Sequence, residues 1–419
     1  MSGLTVGYGE RVITPPLGVD LAGYGFYLDR KAASVLDDLK CRAVHLKAGG
    51  RSLLVISCDI IGFTVGDADT IRGRIADAHA IPREAVLLAA THTHSGPATQ
   101  PMPGLGEIDP ATMDRLRALI LETAAEALSS PRPAEFAYVL EAIEPLGYNR
   151  RKNDFRGIDP VLKAAIFKTP DRKLYLLSYA CHAVVFGRKS HVSADWPGGV
   201  VREIEKAGDR AVFLQGFCGD IDPVLQMNRW GEGTAGDVLD IADLVRRRLV
   251  RAERYAVPQP GPRLAAAEHR IDVPLSISDK RTIEREAASF EKKYSQFPGA
   301  ARFAQDWRKR ALAAAPVMRK SPAVRNVPIQ ALAIGGLKVV ALPGEIFSEI
   351  GLKLQASDAP LMPVGYANGD IGYVPTDKDF RDTADYACYC APMFYELFPF
   401  KAGVERTFLK AARKVLRSI

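Results

Sequence analysis

No stretch of this sequence approaches the roughly 18 uncharged residues of a membrane-spanning helix. The longest apolar run, Ser52–Thr64, contains Asp59 and reads as a strand with its exit loop. The start, Met1-Ser-Gly-Leu-Thr5, has no basic residues leading into a long apolar segment, so no secretory leader is expected and the location expected is cytoplasmic. Cysteine is sparse. Of the six, only Cys388 and Cys390 are close, and no second pair completes a zinc knuckle; buried free thiols in a reducing compartment are the expectation. There is no internal repeat, no low-complexity segment and no Gly-x-Ser-x-Gly elbow, which argues against repeat architectures and against a serine hydrolase of the elbow type. Histidine is scarce as well, with seven in 419 residues, so any clustering of them carries information.

What is present describes a folded globular chain. Hydrophobic residues make up 47% and charged residues 25%, and the length suits one large core or two ordinary domains. The net charge of +7 could attract nucleic acid. The cations, however, are interleaved with acids, as along Arg281–Lys293, which reads as solvated helix faces, so no nucleic-acid partner is expected.

The first half alternates strand-like with helix-like segments. Apolar runs at Cys41–Ala48, Ser52–Cys58, Ala85–Ala90, Leu162–Lys168, Leu174–Ala180 and Ala211–Gln215 read as strands. Met113, Leu116, Leu119, Ile120, Ala124 and Leu128 fall at helical spacing, as do Val238, Ile241, Ala242, Val245 and Leu249. The fold class expected is mixed α/β, with β-sheets flanked by helices and an active site at strand ends. A proline-rich connection at Val257–Arg263 precedes a charged helical stretch, Ser278–Arg319, broken near Pro298-Gly299. Strands resume at Ile329–Ile334, Leu337–Leu342 and Leu361–Ala367. One intertwined catalytic domain over residues 1–419 is expected, with residues 278–319 as a helical insertion or lid.

Six apolar runs end in polar or glycine-rich turns, and between them they offer Asp59, His92, His94, His182, Asp220, Glu345 and Asp370. Strand ends release side chains into crevices, so six such ends suggest one shared site. His92 and His94 follow a strand within Thr91-His-Thr-His-Ser-Gly-Pro97. At two-residue spacing in extended chain both rings face one way, and imidazole is a common zinc ligand. Taken singly, His182 and His191 read as ordinary polar residues. Glu345, before a helix expected at Ile346–Leu354, reads singly as a favourable charge at a helix start.

Together these segments resemble the neutral, non-lysosomal ceramidase family, zinc amidases that split ceramide into sphingosine and fatty acid. Thr91–Pro97 resembles the family's T-H-T-H-S-G-P. In the same order follow Asn149-Arg150, the strand ending in His182, Ser193-Ala-Asp195, the Gly219-Asp220 turn, Pro343-Gly-Glu345, and Asn368 with Tyr373. Nearer the start, Val6-Gly-Tyr-Gly9, Ile13-Thr-Pro15 and Ala22-Gly-Tyr24 resemble its opening strand and turn. The resemblance implies a fold like the ceramidase catalytic domain. It also implies zinc held by His92, His182, Glu345 and Tyr373, with His94, Arg150 and Tyr373 at the reaction centre. Tyr366 in place of Tyr373, and His191 in place of His182, stay open.

The departures concern substrate more than metal. Full-length members end in a further β-sandwich domain, for which 419 residues leave no room, so none is expected. The family's catalytic serine has no counterpart in the short Asp222–Asp240 segment, and many members are exported. The activity expected is therefore zinc-dependent hydrolysis of an amide-type bond in a small-molecule or lipid substrate, with peripheral membrane contact and oligomeric state left open. The alternatives are a small ester, lactone or non-lipid amide as substrate, or a non-catalytic binding relic. An amidohydrolase barrel would carry its His-x-His on the first strand, whereas this pair follows at least three. A metallo-β-lactamase would need His-x-His-x-Asp-His, and His94 is followed by Ser-Gly-Pro.

Overall fold

The computed structural model describes residues 3–419. Its helices, in chain order, are α1 (Val65–His79), α2 (Pro110–Ser129), α3 (Asp195–Lys206), α4 (Ala235–Ala252), α5 (Lys280–Lys293), α6 (Ala300–Met318), α7 (Ser348–Gln355) and α8 (Val404–Leu416). Among the described residues no helix is long and apolar enough to cross a membrane.

Three larger sheets form the frame. The first runs in the order Val86–Ala90, Arg51–Cys58, Lys40–Ala48, Thr5–Val12, Arg132–Pro133. The second runs Arg210–Gln215, Lys173–Tyr179, Val161–Lys168, Glu135–Ala142, Val257–Pro258. The third runs Leu264–Pro274, Ala323–Ile334, Leu337–Ala341, Leu361–Val364. Within each sheet every pairing is antiparallel except one at the edge. The parallel pairs are Arg51–Cys58 with Val86–Ala90, Lys173–Tyr179 with Arg210–Gln215, and Leu337–Ala341 with Leu361–Val364.

A parallel pair requires a crossover, commonly helical. Here α1, α3 and α7 are those crossovers, one per sheet. The six apolar runs with polar ends are thus the six strands of three βαβ units. Their carboxyl ends meet. Gly365 N–H donates to Gln215 O at 2.9 Å, Ala90 N–H to Tyr366 O at 3.2 Å, and Ser57 Oγ to Phe213 O at 2.6 Å. Behind them Val55, Leu87, Leu176, Val212, Leu214, Val339, Met362 and Val364 pack as one buried cluster drawn from all three sheets. Covered on both faces, these strands lack the alternation of a half-exposed sheet.

The outer faces are closed by helices. α2 lies across Thr5–Val12, α3 and α4 across the second sheet, and α8 across the third. The approach of α2 is close enough to require glycine: a Cβ at Gly7 would sit 1.9 Å from the carbonyl oxygen of Ala127. Gly7→Ala is therefore expected to push the helix off the sheet and cost about 3 kcal/mol. That should lower the calorimetric unfolding midpoint by on the order of 5 °C or more. The control is Gly73→Ala, in α1, where a Cβ meets nothing within 4 Å; it should hold or raise the midpoint.

Two elements were left unassigned in the sequence reading, and a third is found as expected. Leu264–Pro274 begins Leu-Ala-Ala-Ala-Glu-His-Arg, a helix-forming composition, yet it is a strand because it pairs along its length with Ala323–Ile334. The segment at Asp195-Trp-Pro-Gly-Gly opens α3. The charged helical stretch is the pair α5 and α6, lying between those two strands and broken over residues 294–299. An aromatic group of Phe26, Phe290, Phe303 and Phe394 anchors it, with ring centroids 4.9 to 5.4 Å apart for Phe26–Phe290, Phe26–Phe303, Phe290–Phe303 and Phe303–Phe394.

Candidate metal centre and active site

His92 sits just past the end of Val86–Ala90 in a left-handed backbone conformation, φ 61°, uncommon for a residue with a side chain. Its neighbour Thr91 is held by Asp59, whose carboxylate accepts from Thr91 Oγ1 at 3.2 Å and from Arg42 at 3.1 Å. The imidazole stacks on the Tyr366 ring with centroids 4.0 Å apart. Its Nδ1 lies 2.6 Å from the carbonyl oxygen of Ile61. His182, past the end of Lys173–Tyr179, repeats this arrangement, with Nδ1 3.1 Å from Ile221 O. The turn that follows is fastened from α3: Trp196 Nε1 donates to His182 O at 2.9 Å, and Val185 N–H donates to the Asp195 carboxylate at 3.0 Å.

A carbonyl oxygen can only accept, so Nδ1 carries a proton in both rings and it is each Nε2 that is left to face the site. Both Nε2 atoms point at one carboxylate. Glu345 Oε2 lies 3.1 Å from His182 Nε2 and 3.5 Å from His92 Nε2. A proton on a ring or a metal ion can bridge such a set, and the donor types suit a metal ion. Tetrahedral zinc with bonds of about 2.0–2.1 Å would place its ligand atoms roughly 3.3 Å apart, which matches these separations. Burial pushes the His182 imidazole below its ordinary value, with Arg150 adding to the effect, which keeps the ring neutral and free to ligate. Burial alone would raise the Glu345 carboxyl; His92 and His182 outweigh it and hold it well below the usual range.

His94 completes a buried group in which one ring nitrogen from each of His92, His94 and His182 lies within 4.8 Å of the others, and that group could hold a metal ion. His94 Nε2 is 3.0 Å from His92 Nε2, while its Nδ1 has no partner. Burial, then the other two histidines, depress its pKa well below the usual value. Gly23 makes room for the ring: a Cβ there would lie 2.5 Å from His94 Cγ.

Glu345 and Tyr373 are register partners in a short parallel ladder. The Tyr373 hydroxyl accepts from Arg150 Nη2 at 2.8 Å. Arg150 also reaches Gly219 O at 2.9 Å and Asp222 at 3.1 Å. Asp220 ties the surrounding turns together by accepting from Asn149 Nδ2 at 2.8 Å and from Ser348 N–H at 2.9 Å.

Of the alternatives left open in the sequence, His191 lies away from this group, with Nδ1 2.6 Å from Ser34 Oγ in a separate small ladder. Tyr366 offers its ring to His92, and its hydroxyl lies 3.4 Å from Cys218 Sγ. Two participants were missed. Asp222 pairs with Arg150, and Tyr395 Oη donates to Glu345 Oε1 at 2.6 Å. Both contacts span tens of residues and leave no local pattern. The phenol matters because it occupies one carboxylate oxygen and leaves Oε2 facing the histidines.

His94, Arg150 and Tyr373 open onto a cavity of about 650 Å³. Its walls are largely aromatic: Tyr24, Phe26, Trp230, Phe297, Tyr386 and Phe394. Phe297 and Tyr294 come from the turn between α5 and α6.

A buried histidine centre able to hold a metal ion, set where three βαβ units end, therefore defines the class of site. No protein-family model matches the chain, and no curated protein matches it in sequence. In backbone it is similar to the neutral ceramidase from Pseudomonas aeruginosa, with TM-score 0.75 and 17% identity over 100% of this chain and 75% of that one. It is equally similar to a ceramidase complexed with C2, with TM-score 0.76 and 16% identity over 100% and 76% of the two chains. The chain has a neutral ceramidase-like fold.

Proposed function

We propose that this chain is a zinc-dependent hydrolase of an amide-type bond, acting on a lipid or small-molecule amide. The observation that carries the reading is the convergence of His92 Nε2, His182 Nε2 and Glu345 Oε2 at 3.1–3.5 Å in a buried pocket. His92, His182 and Glu345, with Tyr373 beside them, are the residues that would hold the ion. Bound there, zinc would supply Lewis acidity toward a carbonyl and a water.

The chain's own groups do the rest. His94 is neutral, and its unpartnered Nδ1 can take a proton and return it to the leaving amine. Arg150 can donate to an oxygen that gains negative charge. The aromatic walls bury apolar substrate and exclude bulk water. A cavity of about 650 Å³ is ordinary for a small-molecule site, which keeps a small ester, lactone or non-lipid amide as the second reading of substrate. A cytoplasmic setting is supported by the six cysteines, all buried and free.

The test is amine release from a short-chain ceramide and from simpler N-acyl amines, with and without zinc and a chelator. Turnover that needs zinc supports the proposal. No cleavage of any amide by zinc-loaded protein, or cleavage indifferent to the chelator, would overturn it. Tyr395→Phe is expected to weaken zinc retention by roughly 10–100-fold in chelator competition, because Glu345 Oε1 loses the donor that orients the carboxylate.

A further inference from the structure

Three arginines line the cavity: Arg150, Arg151 and Arg188. Two are neutralised within the protein. Arg150 pairs with Asp222, and Arg151 pairs with Asp379 and Asp385. Arg188 pairs with no carboxylate among the described residues. Its guanidinium instead lies over two rings, 5.0 Å from the centroid of Trp230 and 4.8 Å from that of Phe297. Contact with the two ring faces engages the cation without using its N–H donors, which make no hydrogen bond to a carboxylate among the described residues.

The loop that carries it is held firmly. Gln226 Nε2 donates to Val184 O at 2.8 Å, and Gly231 N–H donates to Gln226 Oε1 at 2.7 Å. Lys189 Nζ donates to Gly233 O. Gly187 packs so close that a Cβ there would lie 2.2 Å from Gly231 Cα. Arg188 and Trp230 are exposed, whereas His94 is buried, so the free cation stands at the open end of a cavity whose buried wall includes His94. Asp382, also exposed on the wall, makes no ion pair with it.

We infer that the substrate carries an anionic group, a carboxylate or a phosphate, away from the scissile bond, and that Arg188 binds it. A planar fork with unengaged donors, stacked in place, suits either anion. A neutral lipid amide would leave it without a partner. This inference rests on the amidase reading and names its substrate class.

The experiment compares N-octanoylglycine, O-phospho-N-octanoylethanolamine and neutral N-octanoylethanolamine as substrates of the zinc-loaded full chain. One or both anionic amides should exceed the neutral one in kcat/KM by on the order of tenfold or more, the scale of a charge-assisted hydrogen bond. Which of the two leads distinguishes carboxylate from phosphate. Arg188→Gln should bring the ratio close to one, and Arg188→Lys should restore part of it. A wild-type ratio near one, or a ratio that Arg188→Gln leaves alone, would overturn the inference.

A binding arm separates this failure from failure of the amidase reading. Octanoate and octyl phosphate are titrated against tryptophan fluorescence, with octanol as the neutral control. Arg188-dependent anion binding without cleavage of any amide would sustain the anion site and sink the amidase. Cleavage with neither anion preference nor anion binding would do the reverse. An unchanged thermal midpoint in Arg188→Gln shows that the comparison is between folded proteins.

Discussion

Elemental analysis of purified wild-type protein is expected to give about one zinc per chain, and His92→Ala is expected to give none. Loss of the imidazole removes one of the two Nε2 atoms that face Glu345 Oε2, leaving a single histidine and a carboxylate. Turnover should fall with the metal by about 10³-fold or more, since the stabilisation that a metal supplies amounts to several kcal/mol. His92 is fully buried against Tyr366, so alanine also leaves a cavity. His92→Gln, closer in volume, separates metal loss from misfolding. A variant that keeps full zinc and full activity would sink the site assignment. Wild type that takes up no zinc even when incubated with it would leave the non-catalytic relic as the leading reading.

The second large effect is expected at Arg150. Its guanidinium spans Asp222, Gly219 O and the Tyr373 hydroxyl at 2.8–3.1 Å, a geometry that two prongs can make and one cannot. Arg150→Met should lower kcat by about 10²–10³-fold, the range for removing a donor to developing negative charge, while zinc stoichiometry stays near that of wild type. Arg150→Lys should recover a minor part, because a point charge cannot reproduce the fork. Removing the cation also strands Asp222, which is buried, at a cost of about 3–5 kcal/mol. The double variant Arg150→Met with Asp222→Asn should regain much of that stability and none of the rate. A kcat close to wild type in folded Arg150→Met would show that the arginine only braces Asp222 and Tyr373.

Much of the frame was legible along the chain, for a specific reason. Strands such as Val86–Ala90 and Arg210–Gln215 are buried on both faces, so each appears as a short apolar run bounded by a polar turn. Leu264–Pro274 was not legible because its alanines and charges carry no strand preference; pairing with Ala323–Ile334 along its length decides its conformation. The recurrence of βαβ units was equally hidden. It is a repetition of topology, and the three units share no sequence period.

The site divides along the same line. His92 and His94 are two residues apart after a strand, close enough to share one site, although the left-handed turn at His92 rather than strand alternation sets how their rings meet. Glu345 on local evidence was a helix-start charge, and His182 could not be told from His191. The choice lies in contacts made across distance: His182 reaches Glu345 over 163 residues, whereas His191 is taken by Ser34 over 157. Tyr395, Asp222 and the stacked Arg188 had no signal at all, because each acquires its meaning from a partner on another element. What the sequence determined by itself was whatever depends on neighbours in the chain, namely strand runs, helical faces and the histidine pair. Which ring nitrogens converge, which arginine is left without a counter-charge and how large a cavity they face were decided only when the three sheets packed together, since burial and distance are properties of the folded chain.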